Sequence, residues 1–404
     1  MPNGQSGQAL RPGASNLFFR LFILVVFLAG FSFRLMIFQL PHQEGDEVIY
    51  ETLVKQLDEG HGYNLRGTSL LENGGVDKDQ YGGPIFYHPP GGIMLFWLLY
   101  KLFGQAGYAL AQLLSYTIFF ASMMSLLHSV LRKDALVGFG AAAVVTAFTP
   151  IATHVMNHYW LDGPLLAFTT LAAALFIHGV TRERTGWVWA GGAVLGYAAL
   201  IKLIALFTVP GVMLLAWALK PELRFMSMVR YGIFLLVPVM LFQLPWEFWQ
   251  FKALGTFFPP VPRGRPAPTA IATNLYVRYI TVGRSPWIYL TLIPRVLWTT
   301  TVSLAAWVKL RKKPEVRRTG LALIAWIAVI VIIQIALGFY GYAKLMRYVI
   351  LITPASVLLF GLVAAECRGL WLCALGIGLV LETSQGIQTT LEPADLIIPI
   401  GGGL

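Results

Sequence analysis

The feature that most restricts this chain is a series of long apolar runs, each closed by a short polar or basic segment. The first extends from Leu21 to Leu40, interrupted by Arg34. Ten more follow at approximately 106–131, 135–152, 162–180, 187–201, 203–219, 231–249, 287–308, 320–339, 348–365 and 370–385. A helix needs roughly 20 apolar residues to cross a hydrocarbon core of about 30 Å. No soluble domain can bury so many such runs: 57% of the 404 residues are hydrophobic and 12% are charged, with a mean hydropathy of +0.67. The sequence predicts an all-α, polytopic transmembrane helical bundle of about eleven spans.

The formal net charge of +11 does not point to nucleic acid, because the basic residues lie in short clusters between apolar runs and form no basic-aromatic patch. They set orientation instead. With residues 41–105 outside, the inner segments collect sixteen basic residues against five acids, and the remaining charges cancel. The N-terminus is then cytoplasmic. This topology turns on the stretch 91–103. Its 13 residues reach roughly 20 Å at about 1.5 Å per residue, which suits an interfacial or re-entrant helix better than a span. Were it to cross, the Lys309–Arg318 cluster would face outward. The first run lacks a small-residue cleavage site and is expected to remain as a span. Cys367 and Cys373 lack zinc-site spacing and read as packing residues.

One membrane domain, 1–404, follows from this pattern. It comprises a first span with a short inner tail (1–40), a first outer loop (41–105), core spans (106–249), a second outer loop (250–286) and C-terminal spans (287–404). Arg34 would cost about 2.5–3.5 kcal/mol at the bilayer centre, so it should snorkel outward or face the bundle. With Arg295 it is read as one of two charges inside spans.

The first outer loop opens on Gly45-Asp46-Glu47. From there Ile49, Leu53, Val54 and Leu57 recur at helical spacing, with charged residues on the other faces. That pattern predicts an amphipathic helix on the membrane surface, its apolar stripe at the lipid boundary and two acids at its N-terminus. Such acids can take a proton from a polar acceptor, or they can simply complement the helix dipole. Farther on, His154, Asn157, His158 and Tyr159 precede Trp160-Leu161-Asp162-Gly163-Pro164, where the fourth span begins. Asp162 reads either as an N-cap before a proline or as a second acid level with Asp46.

Cations gather on the same side. Lys202 lies in a short outer turn, able to point to water or to a phosphate. The loop 250–286 carries Lys252, Arg263, Arg265, Arg278 and Arg284, with several prolines that keep it extended. A basic outer loop opposes the topology rule and suggests either an anion site or plain loop charge. Lys344, Arg347 and Tyr348 form a compact basic-aromatic turn before a span, and arginine suits phosphate because its planar fork binds two oxygens.

In order, these motifs resemble the C-type (GT-C) polyprenyl-phosphate-sugar-dependent glycosyltransferases, the superfamily of protein O-mannosyltransferases, aminoarabinose transferases and RgtA/B/C/D-like domains. Residues 45–63 are similar to that family's Asp-Glu loop and helix ending in Gly-x-Gly-Tyr, and Tyr87-His88-Pro89-Pro90 to its Pro-Pro box. Asp162-Gly163-Pro164-Leu165 resembles its second Asp, and Lys202 its hairpin lysine. Leu244-Pro245-Trp246 through Gly255-Thr256-Phe257-Phe258-Pro259 and Arg347-Tyr348 with Pro354 complete the set. Two departures stand out: His88 replaces the lysine of the aminoarabinose branch, and Gly91-Gly92 replaces a bulky residue.

The resemblance implies inverting transfer of a sugar from a polyprenyl-phosphate donor to an envelope glycan, lipid or protein on the outer face of the inner membrane. Asp46 would be the general base, and Glu47 and Asp162 would orient the acceptor or hold a divalent cation. Lys202, Arg347 and Arg278 or Arg284 would neutralise the departing phosphate, with Tyr87, Lys344 and Tyr348 beside them. His88 would position the donor phosphate or join Asp46, Glu47 and Asp162 as a metal ligand; the family is divided on metal dependence. A multi-span transporter or a polysaccharide ligase or polymerase is the alternative class. The transporter is disfavoured by the lack of an internal repeat, and the ligase by an acid pair where basic residues would be expected.

Overall fold

A computed structural model describes residues 12–39, 45–76, 78–86, 88–131, 135–257, 271–272, 287, 289–290, 293–294, 297–339, 346–391 and 397–398. The architecture is an all-α helical membrane bundle. Its helices are α1 (Pro12–Arg34), α2 (Gly45–Asp58), the single turns α3 (Ser69–Glu72) and α4 (Lys78–Tyr81), α5 (Gly91–Phe103) and α6 (Ala106–Val130). Next come α7 (Leu136–Phe148), α8 (Pro150–Met156), α9 (Asp162–Thr181), α10 (Thr185–Ile201), α11 (Val209–Leu219) and α12 (Phe225–Leu254). The chain closes with α13 (Trp298–Leu310), α14 (Pro314–Phe339), α15 (Thr353–Glu366) and α16 (Leu370–Leu391). Ile271–Ala272 and Ile397–Ile398 pair as two-residue antiparallel strands.

Among the described residues, eight segments are long and apolar enough to cross a membrane: Leu17–Phe38, Ala106–Val130, Leu136–Met156, Asp162–Thr181, Phe225–Leu254, Pro314–Phe339, Val349–Glu366 and Leu370–Gln388. The expected spans 187–201, 203–219 and 287–308 fall on shorter helices, α10, α11 with its preceding 3-10 turn, and α13. α9 packs between α6 and α10, α10 leads on to α12, and α7 and α14 flank α15. Large apolar side chains on α1 and α12, such as Phe18, Val25, Ile233 and Leu241, stay exposed, as a lipid-facing surface requires.

Arg34 faces the bundle. Its Nη1 donates to the carbonyls of Gly30 and Ala147, both at 2.9 Å, and its guanidinium lies 4.0 Å from the centre of the Tyr116 ring. The Ala147 carbonyl borders the Thr149-Pro150 break between α7 and α8, where proline removes a backbone donor. Arg295 lies outside the described residues. A further ionisable residue inside a span, beyond Arg34 and Arg295, is the buried Glu382 on α16. It accepts from the Thr149 hydroxyl at 2.8 Å and from the Thr299 N–H and hydroxyl at 2.9 and 2.6 Å. Its carboxyl oxygens thus receive donors at the starts of α8 and α13.

The amphipathic helix α2 exists as its periodicity requires, but its stripe does not face lipid. Ile49, Leu53 and Val54 are buried in the protein, with α2 packed on α5. At its C-terminal end Asp58 accepts from Lys101 Nζ at 2.5 Å and from Trp97 Nε1 at 3.3 Å. The short helix α5 therefore serves as the platform that seats the outer loop.

Candidate functional site

The site grows from the tight loop Asn157–Leu161, which joins α8 to α9. Gln112, buried on α6, donates to the Trp160 carbonyl at 2.7 Å and fixes the loop against the bundle. A side chain at Gly163 would place its Cβ 2.1 Å from the Gln112 amide oxygen, so the first turn of α9 sits directly on α6. Asp162 starts that turn and is fully buried. Opposite it, α10 ends at Ile201, and Lys202 adopts extended backbone before the 3-10 turn Leu203–Thr208. Lys202 Nζ donates to both Asp162 oxygens, at 2.8 and 2.9 Å, and is itself 6% exposed. The turn lysine thus points inward and forms a buried ion pair.

The glycines of the Pro-Pro segment explain why α5 lies so close. A Cβ at Gly91 would meet the Leu200 backbone at 2.9 Å, and one at Gly92 would meet Leu161 at 2.6 Å. The bulky residue that the resemblance expects here would push α5 away from both the Asp162 loop and the Lys202 turn. Tyr197 of α10 donates to the Gly91 carbonyl at 3.0 Å and holds the contact.

Glu47 enters from α2 and is fully buried. Its Oε1 accepts the Tyr159 N–H at 2.8 Å and meets His158 Nδ1 at 3.1 Å. The His158 ring stacks on Trp160, centroids 4.4 Å apart and planes 14° apart, with His154 edge-on at 4.7 Å. Tyr159 stacks on Tyr108 at 5.1 Å. Burial first, then the charges of Glu51 and Glu47, raise the Tyr159 phenol and keep it protonated. The bond to Tyr159 brings the start of α2 within three residues of Asp162, so the two acid-bearing segments occupy one end of the bundle. Asp46 precedes Glu47 in the first turn and is partly exposed.

The Gly-Tyr end of the first motif is bound to the Pro-Pro box. The Tyr63 hydroxyl donates to the His88 carbonyl at 3.0 Å and to the Pro89 carbonyl at 3.3 Å, while the Phe86 N–H donates to the Tyr63 carbonyl at 2.7 Å. Trp246 and Trp249 of α12 pack near the Tyr63 ring, at 6.1 and 6.3 Å between centroids. The His88 ring lies 5.6 Å from that of Phe86. Burial raises the Tyr63 phenol well above its ordinary value, so it remains a donor.

Tyr87, Arg278, Arg284 and Lys344 lie outside the described residues. Arg347 and Tyr348 belong to the 3-10 turn Met346–Ile352, whose backbone packs on α8 and α9, the helices that flank the Asp162 loop; their side chains lie outside the described set. Among the described residues, no group of three or more His, Cys, Asp or Glu side chains is placed to hold a metal ion. Asp162 has both oxygens engaged by Lys202. The Glu47–His158 contact, Gln112 and the inward turn of Lys202 went unforeseen. The clustering of His154, Asn157 and His158 ahead of Asp162 was the signal available for the first.

These features define a multi-pass helical membrane protein with a buried, acid-bearing site at one end of its bundle. Among the solved structures that share the fold are two of oligosaccharyltransferases. One is the Archaeoglobus fulgidus oligosaccharyltransferase in the apo form, with a TM-score of 0.52 at 10% identity, covering 91% of this chain and 56% of that one. The other is the archaeal oligosaccharyltransferase AglB from Archaeoglobus fulgidus in complex with an inhibitory peptide and a dolichol-phosphate, with a TM-score of 0.51 at 12% identity, covering 92% and 56%. The chain thus spans just over half the length of the structures it matches. No protein-family model and no curated protein sequence matches it.

Proposed function

We propose that this chain is an integral-membrane glycosyltransferase that moves a sugar from a polyprenyl-phosphate donor to an acceptor lipid, glycan or protein of the cell envelope. The observation that carries this reading is the bond from the Tyr159 N–H to Glu47, which joins the Asp46-Glu47 turn to the loop leading to Asp162. The oligosaccharyltransferase fold adds support, since one solved example holds a lipid phosphate and a peptide. The distribution of basic residues favours a cytoplasmic N-terminus and a reaction on the outer face of the plasma (inner) membrane.

In the proposed reaction the acceptor's O–H or N–H loses its proton to Asp46 as its heteroatom attacks the anomeric carbon. The bond from that carbon to the phosphate oxygen breaks on the opposite side, and polyprenyl phosphate departs with the electron pair. Configuration inverts in one displacement. Glu47, buried and accepting the Tyr159 N–H, anchors the first turn of α2 and orients the acceptor through it. Asp162 fixes Lys202 as a neutral pair, so growing phosphate charge falls chiefly to Arg347 and to the basic residues Arg278, Arg284 and Lys344. No step is assigned to a metal ion.

Mass spectrometry of envelope glycans from a strain lacking this gene tests the reading. Loss of one sugar substituent, restored by the wild-type gene and not by Asp46→Asn, is the expected result. An unchanged glycan and lipid profile would remove the proposal.

A further inference from the structure

The contact between α2 and the Asn157–Leu161 loop holds a histidine to which the reaction above gives no role. His158 Nδ1 lies 3.1 Å from Glu47 Oε1. The direction of this contact follows the tautomer: facing an ionised Glu47, which can only accept, the ring would carry its hydrogen on Nδ1 and the bond would be charge-assisted. Stacking on Trp160 fixes the plane of the ring, and His154 braces it edge-on. The same Glu47 oxygen accepts the Tyr159 N–H, so two consecutive residues of one loop set the direction of the carboxylate. Glu47 cannot rotate without breaking both bonds, and Asp46 is its neighbour in the first turn of α2.

We infer that His158 is a positioning residue of the transfer site: by donating Nδ1–H to Glu47 it fixes the first turn of α2, and Asp46 with it, against the loop that leads to Asp162. The inference rests on the glycosyl-transfer reading. His158 acts through Glu47 and does not touch donor or acceptor. Its removal therefore lowers kcat and leaves the donor KM near the wild-type value.

Three substitutions separate this role from simple packing. Asparagine places an amide N–H where Nδ1–H stands, glutamine places one at the Nε2 position, and alanine removes both. The assay is release of polyprenyl phosphate from a panel of undecaprenyl-phosphate-linked hexoses and pentoses by the full-length purified protein, with an envelope extract as acceptor. His158→Ala and His158→Gln should each lose about 10²-fold in kcat, the scale of an ångström-sized misplacement, while His158→Asn recovers most of it. Equal losses in the asparagine and alanine variants, or no loss in either, would overturn the role.

A second measurement does not depend on turnover. In reconstituted protein labelled with ¹⁵N-histidine, the His158 ring, assigned by its absence in His158→Asn, should carry its hydrogen on Nδ1 and respond to Glu47→Gln. A ring protonated on Nε2 and indifferent to Glu47→Gln would refute the contact whatever the activity. Should the tautomer be as expected while the wild type releases no polyprenyl phosphate from any donor, the glycosyl-transfer reading fails and the role falls with it.

Discussion

The Lys202 ammonium donates to both oxygens of the Asp162 carboxylate, at 2.8 and 2.9 Å, across forty residues of sequence and inside the protein. Buried charges are tolerated because each is the other's partner. Removing one strands the other, at a cost of about 3–5 kcal/mol. Lys202→Met and Asp162→Asn should each lower the unfolding midpoint in detergent sharply. The double variant should recover much of the loss, because no lone charge remains. Additive losses would contradict the pairing.

A methyl group at Gly163 would meet the Gln112 amide oxygen, so Gln112, held by its bond to the Trp160 carbonyl, must shift to admit it. Gly163→Ala should cost about 1–3 kcal/mol, the usual range for overpacking. Shortening the neighbour in the double variant Gly163→Ala with Gln112→Ala should return part of that stability. Thermal unfolding followed by tryptophan fluorescence measures both.

Glu382 ties α16 to the starts of α8 and α13 through Thr149 and Thr299. Glu382→Ala leaves those donors unmet in the bundle and should destabilise by about 1–3 kcal/mol. Glu382→Gln keeps one accepting oxygen and should lose less. The unfolding midpoints of the two variants rank them.

At the opposite polar turn, Lys220 holds the Glu183 carboxyl below its ordinary value, by hydrogen bond first and charge second. A lowered folded value means that the pair's contribution is present above the unfolded carboxyl value and is lost as pH falls through the folded one. The midpoint difference between wild type and Glu183→Gln should therefore be visible near about pH 7 and vanish in acid. Because the carboxylate is exposed, high salt should also shrink it.

Much of this fold was legible because bilayers restrict helices so strongly. The long apolar runs, the shortness of 91–103 and the period of Ile49, Leu53 and Val54 each have a direct physical meaning. The partner of that stripe was not legible: periodicity says that a face is buried, and it took the packing of α5 to show that protein covers it. The same holds for the site. Asp46, Glu47 and Asp162 stand at helix starts that sequence spacing marks, whereas Lys202 to Asp162 and His158 to Glu47 join residues that spacing cannot relate. Glu382 was readable in principle, as a lone acid in an apolar run. Gly91 and Gly92 gave a clue of another kind, since a missing side chain signals close approach only once its neighbours Leu200 and Leu161 are known.

The most direct measurement is turnover by purified Asp46→Asn protein beside the wild type, with a polyprenyl-phosphate-linked sugar as donor and polyprenyl phosphate release as the readout. Wild type should release it in the presence of acceptor, and Asp46→Asn should fall about 10²–10⁴-fold with its unfolding midpoint unchanged. Release by Asp46→Asn at the wild-type rate would contradict the assignment of the base.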